Sequence, residues 1–296
     1  MTMSVTTAIG YPEVKQWLTQ HYPAPRIQLS KVLAPSINVS NNAMIGTAFD
    51  YLVRFTIERM NNEILSSRWI ADIAIGYLAG EYGPTRRLPN GHLGVRVGPK
   101  VDMGIPVIIL DITDDAVTRL SYMVDQAHHL KDEFCSGANL TDELLYSCID
   151  LAHIDRIVRI GSRFDSTEWQ YTTEQLQDLW NLHDVLYQSA FLSAMRETTA
   201  LLNPAIVWED ANLEGDCDLI TYGTLIDIKT VQSTRTSDWH QVVLYAIAAN
   251  HGLTEPAILS PITNIGFYYS RHGMFTQFPI DMDLVGELSE IICGLR

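Results

Sequence analysis

The sequence predicts a mixed α/β protein in which a helical layer is inserted ahead of the sheet. Between Ile105 and Leu202 apolar residues recur mostly at helical spacing. After Asn203-Pro204 the texture changes to short β-branched and aromatic stretches separated by turns. One helical pattern interrupts those stretches, an order of elements that suits a mixed sheet flanked by helices.

In chain order, Pro12 to His21 is expected as a short helix with Pro at its first position and Pro23 and Pro25 beyond its end. Ala43 to Met60 is a stronger helix, because Ile45, Phe49, Leu52, Val53, Thr56 and Ile57 fall on one stripe. Gly83 to Val101 is punctuated by Gly and Pro, with Asn90-Gly91 as a turn signal, and reads as a hairpin or loop. Further helices are expected around Asp114–Lys131, Thr141–Arg156 and Thr173–Leu202. The strands expected after them are Ala205–Trp208, Asp216–Thr221, Thr224–Val231, Ile265–Ser270 and Met274–Ile280. The helix among those strands runs from Asp238 to Asn250, with Ser237 as N-cap and Gly252 just past its end.

Composition narrows the function. With 20 basic and 35 acidic residues among 296, the net charge is −15, which excludes a polycationic, histone-like binder. A nucleic acid would have to be held by a metal ion or a local basic patch. Two such patches exist: Arg86, Arg87, Arg96 and Lys100 in an acid-free stretch, and Arg156, Arg159 and Arg163. No apolar run reaches the ~20 residues of a membrane span, and the N-terminus lacks a secretory pattern, so a cytoplasmic location is expected. Cys135, Cys148, Cys217 and Cys293 are scattered without a CxxC pair, which disfavours a zinc ribbon or disulfide framework. A GxxxxGK[ST] phosphate loop is absent, so any ATPase or helicase would be a separate partner.

The informative stretch runs from Gly215 to Thr230, GDCDLITYGTLIDIKT. With Tyr222-Gly223 as a hairpin tip, Thr221 faces Thr224, Ile220 faces Leu225, Leu219 faces Ile226 and Asp218 faces Asp227. Alternation then puts Leu225, Asp227 and Lys229 on one face, and Asp216 shares a face with Asp218. Opposed like charges destabilise a sheet, so the pair needs a reason. A divalent cation held by hard oxygen ligands, Mg²⁺ or Mn²⁺, is the simplest one. Lys229 would reach the same place, to serve a water or to stabilise charge on a phosphate. An exposed hairpin with surface Asp–Lys pairs is the plainer reading of the same residues.

Taken with His240-Gln241-Val-Val-Leu-Tyr245, this stretch resembles the core of the PD-(D/E)xK nuclease superfamily, in its RecB-like branch. The pattern there is GxxD, then DxK, then QxxxY on the next helix. The resemblance implies a restriction-endonuclease-like α/β core, a mixed sheet flanked by helices. It implies metal binding by Asp218, Asp227 and the carbonyl of Ile228, catalysis by Lys229, and strand contacts from Gln241 and Tyr245. Independently of the family, Gln241 and Tyr245 share a helix face at i,i+4. Asp50, in Ile45-Gly46-Thr47-Ala48-Phe49-Asp50, stands where the branch carries another ligand, yet one turn from Arg54 an ion pair explains it equally. Only Cys293 lies near the C-terminus, so an iron–sulfur cluster of the kind some relatives carry lacks its ligands.

The expectation is therefore one domain over 1–296, with its core at 43–60 and about 200–296 and a helical insertion at about 105–200. Its expected activity is Mg²⁺- or Mn²⁺-dependent hydrolysis of DNA phosphodiesters, with phage defence and DNA recombination or repair as settings by analogy. A homo-oligomer is compatible with it. The alternative is a non-catalytic DNA-binding or scaffolding subunit that keeps the nuclease fold.

Overall fold

The computed structural model describes residues 3–38, 42–61, 64–79, 85–87, 93–97, 108–160, 169, 171–196, 198–252, 261–281 and 285–295. The protein is mixed α/β and divides into two compact units. The first comprises Met1–Pro35, Asn61–Ser67 and Val185–Arg296; the second comprises Ser36–Met60 and Arg68–Asp184.

The N-terminal elements are β1 (Met3–Ser4), α1 (Val5–Ala8), α2 (Pro12–His21), α3 (Asn42–Met60) and β2 (Ile64–Ser67). Next come α4 (Ile70–Ala79), β3 (Thr85–Arg87), β4 (Leu93–Val97), β5 (Ile108–Ile112), α5 (Asp114–Cys135), α6 (Asp142–Ile160) and α7 (Thr173–Tyr187). The remainder is α8 (Ala190–Ala194), β6 (Ala200–Leu202), β7 (Ala205–Trp208), β8 (Leu213–Asp216), β9 (Leu219–Thr221) and β10 (Thr224–Lys229). It closes with α9 (Thr236–His251), β11 (Asn264–Tyr269), β12 (Met274–Pro279) and α10 (Val285–Gly294). No helix among the described residues is long and apolar enough to cross a membrane.

The first unit is organised by a six-stranded sheet of order β12-β11-β10-β9-β6-β2. β10 and β11 run parallel, which requires a crossover, and α9 supplies it. Leu225, Ile265 and Phe267 face the same side and join Val242, Val243 and Leu244 of α9 in one buried cluster. On the opposite face Tyr268 stacks on Phe191 of α8, centroids 4.3 Å apart. A second sheet, β1-β8-β7, packs β7 and β8 against the same helix.

Several boundaries differ from the sequence expectation. The strand expected over Asp216–Thr221 is broken at Cys217-Asp218, because β8 belongs to one sheet and β9 to the other. The helix expected over Thr173–Leu202 stops at Tyr187, Ser189 caps a short α8, and the chain then enters β6. On α9 the N-cap is Arg235 rather than Ser237, with no side-chain cap bond. Gly252 does end that helix, for a reason of space: a Cβ there would lie 1.8 Å from the Val207 carbonyl oxygen.

In the second unit α3 packs on α5 and α6, and nearly every residue from Met44 to Ile57 is buried. β3, β4 and β5 form an antiparallel sheet, so part of the Gly83–Val101 stretch is a hairpin backbone. The helix over Ala43–Met60, expected in the core with residues from 200 onward, lies in this second unit.

Candidate functional site

β9 and β10 meet through a tip at Tyr222-Gly223, where Gly223 takes the left-handed φ of 64° that a tight hairpin tip demands. Three pairs have the register read from the sequence: Thr221 with Thr224, Ile220 with Leu225, Leu219 with Ile226. The ladder stops there. Asp218 turns out of the strand, its carbonyl accepting from Asn203 N at 2.8 Å. Its Oδ2 instead accepts from the Ile228 amide at 2.6 Å, a charge-assisted bond in place of a ladder bond. One acid is thereby fixed to the backbone next to the other.

Asp227 and Lys229 lie two apart on β10 and share its α9 face. Lys229 Nζ stands 3.1 Å from Asp227 Oδ1 and 2.9 Å from Oδ2. Asp227 is only 7% exposed, and the Lys229 side chain 17%. Burial opposes the lysine's charge, but the fields of Asp227, Asp218 and Asp238 outweigh it and push its pKa up. Lys229 is therefore a fixed cation, suited to stabilising negative charge rather than to taking a proton.

α9 contributes the facing groups. Asp238, Gln241 and Tyr245 recur at i, i+3 and i+7, one stripe of that helix. Tyr245 is buried; burial and then Asp216 push its hydroxyl pKa up, while Gln241 and Thr6 act on the same hydroxyl in opposition. In the parallel neighbour β11, Tyr269 stands in register with Lys229. Its hydroxyl is pushed up by burial and by Asp238 and Asp227, against Lys229.

Asp218, Asp227, Lys229, Gln241 and Tyr245 thus all belong to the first unit, around β10 and α9. Asp50 belongs to the second, where its Oδ2 lies 2.7 Å from Arg54 Nη2 in the i,i+4 ion pair that the spacing allowed. Arg86 and Arg87 are backbone positions on β3, Arg96 is one on β4, and Lys100 lies outside the described residues. Arg156 is exposed on α6.

Sequence reasoning missed Thr6, Asp238 and Tyr269. The helical spacing of Asp238 from Gln241 could have found it. Tyr269 needs the parallel register, and Thr6 needs the docking of the N-terminus; neither leaves a local signal.

Among the described residues, no three His, Cys, Asp or Glu side chains gather into a metal-holding group. Cys217 is buried, and burial followed by Asp218, Asp216 and Asp227 pushes its thiol pKa up. What remains is a set of hard oxygens: the carboxylates of Asp218 and Asp227 and the main chain of Ile228. That donor set fits Mg²⁺ or Mn²⁺ completed by water, and does not fit a soft metal. Comparisons with protein families, with curated proteins and with solved structures yield no match to this chain.

Proposed function

We propose that the protein is a metal-dependent deoxyribonuclease with a restriction-endonuclease-like core in its first unit. The observation that carries this reading is the convergence of Asp218 on the β10 backbone beside an Asp227–Lys229 pair, with Gln241 and Tyr245 on the crossover helix. A lysine and two carboxylates are costly to desolvate together, and structure alone does not call for all three.

Asp218, Asp227 and the Ile228 carbonyl would hold the divalent ion, which supplies Lewis-acid polarisation of a phosphoryl oxygen and an activated water. Lys229, kept charged by Asp227, Asp218 and Asp238, stabilises the charge that develops on the phosphate oxygens. Gln241 and Tyr245, one turn apart, position the strand. Arg86, Arg87, Arg96 and Lys100 are proposed as additional phosphate contacts of an otherwise acidic protein. A separate ATPase or helicase partner and a cytoplasmic setting remain part of the proposal.

The test is incubation of purified protein with circular and linear DNA in Mg²⁺, in Mn²⁺ and in EDTA, beside Asp227→Asn. Cleavage that requires metal and is lost in the variant supports the reading. DNA binding without cleavage in either metal would replace it by the scaffolding subunit.

A further inference from the structure

We propose that Thr6 is a positioning residue of this same site: together with Gly215 it clamps Gln241 and Tyr245 in the orientation they present to a nucleic-acid strand. The strand-facing role rests on the nuclease reading above; the clamp itself is a matter of geometry.

β1 runs parallel to β8, with Met3 beside Leu213 and Ser4 beside Glu214. That register brings Val5 alongside Gly215, immediately ahead of the acids. Ser4 then caps α1, its hydroxyl accepting from Thr7 N at 3.1 Å. The single turn this starts buries Val5 and Ala8 in the cluster that contains Val242, Leu244 and Tyr245, and leaves Thr6 exposed between them.

Thr6 meets the α9 stripe from above. The Gln241 amide Nε2 donates to Thr6 Oγ1 at 3.4 Å. Gly215 meets it from below. A Cβ on Gly215 would lie 2.7 Å from Tyr245 Cε1 and 3.3 Å from Val5 Cγ2, so the tyrosine ring rests on bare backbone. The ring is held by the glycine, and the Gln241 amide one turn away by Thr6.

A removable lid is the other way to read an N-terminal segment over a site. Val5 at 1% and Ala8 at 0% exposure argue against it, since lifting the segment would bring both into water. The segment is part of the core, and its one exposed residue at the stripe does the orienting.

The experiment compares Thr6→Val, which keeps shape and β-branching, with Thr6→Ser, which keeps the hydroxyl. Thr6→Val should raise KM for an oligonucleotide about threefold to tenfold, the loss of a single modest hydrogen bond, with kcat within about twofold. Thr6→Ser should restore the wild-type KM, which lost packing would not allow. Independently of activity, the Gln241 side-chain NH₂ resonances, assigned with Gln241→Ala, should shift in Thr6→Val and return in Thr6→Ser. Gly215→Ala should displace the same resonances by moving Tyr245. Unmoved resonances in Thr6→Val overturn the clamp whether or not the protein cleaves DNA. Moved resonances with an unchanged KM overturn its role toward substrate. A wild type that cleaves nothing removes the nuclease reading, and the strand-positioning role with it, while the spectra still report on the clamp.

Discussion

In the first unit Lys229 meets Asp227 across two residues of a strand; in the second Arg54 meets Asp50 across one turn of a helix. Both cations are largely buried and both contacts are under 3 Å. Their surroundings differ. Arg54 donates to Asp50 Oδ2 and to the carbonyls of Asp50 and Arg68, and its guanidinium lies 4.1 Å over the Tyr51 ring. That planar fork, permanently charged, is committed to backbone and ring. Lys229 is a compact charge with rotatable donors, set in the field of three acids and in register with Tyr269. One pair is tied into its own helix and the Arg68 carbonyl; the other sets a compact cation among acids, where the proposed phosphate would meet it.

Substitution should separate the two. Lys229→Ala should lower cleavage by about a hundredfold to a thousandfold, because charge stabilisation in a partly dry site commonly contributes that much. It should leave Mn²⁺ binding largely intact, since an ammonium is no ligand for a hard cation. Calorimetric titration with Mn²⁺ beside a plasmid assay checks both, and wild-type nicking would remove Lys229 from the chemistry.

Arg54→Met should do the reverse. It removes a buried guanidinium together with its bonds to Asp50 and to the Asp50 and Arg68 carbonyls, and breaking a buried pair costs up to about 3–5 kcal/mol. The melting temperature should fall steeply while the folded fraction keeps its specific activity. A change in Mn²⁺ affinity in this variant would return Asp50 to the list of ligands.

Another acid, a buried one, has no cation in contact among the described residues. Asp150 on α6 accepts from the Tyr171 hydroxyl at 2.5 Å, and burial raises its pKa to about 6, against smaller opposition from Tyr171 and Arg119. A raised carboxyl pKa means that the folded state prefers the proton. Stability from this group therefore increases as pH falls through 6 toward 4, and is at its lowest above 7. The difference between wild type and Asp150→Asn should change by up to about 3 kcal/mol over that window. Urea melts at pH 7.5 and pH 4.5 measure it; a difference that does not change with pH would mean that Asp150 is as well compensated as Asp227.

How much of this was legible follows from how local each feature is. The β9–β10 hairpin could be read because its tip and its alternation lie within ten residues, and α3 because its stripe is continuous. The break at Cys217-Asp218 could not. Asp216–Thr221 alternates like one strand, and only the allotment of β8 and β9 to different sheets divides it. β6 was hidden in Thr173–Leu202 because its three apolar residues fit a helix as well as a strand. The docking of Met3–Ala8 joins residues 210 apart and the pairing of Lys229 with Tyr269 joins residues 40 apart, so neither leaves a local signal. The end of the candidate site that holds Asp218, Asp227 and Lys229 was legible; the contacts of Thr6 and Gly215 with Gln241 and Tyr245 were not.

The smallest effect expected is on Asp218, and it is the one that the structure changes most. From the hairpin register alone, two carboxylates about 5 Å apart at an effective dielectric near 20 repel by about 3 kcal/mol, so Asp218→Asn should stabilise the protein. Lys229 lies in the field of both acids and offsets that repulsion. The Ile228 amide bond survives as well, because an Asn oxygen accepts as a carboxylate oxygen does, though without its charge. The remaining change in EDTA should be within about 1 kcal/mol, near 2 °C in melting temperature. Millimolar Mg²⁺ should then separate the proteins, since wild type gains about 2.7 kcal/mol at a hundred times its Kd and the variant gains little. Paired melts in EDTA and Mg²⁺ decide it. If the variant gains as much from metal as wild type does, Asp218 is a backbone anchor for β10 and not a ligand. The difference between the two buried pairs would then rest on Asp227 and Lys229 alone.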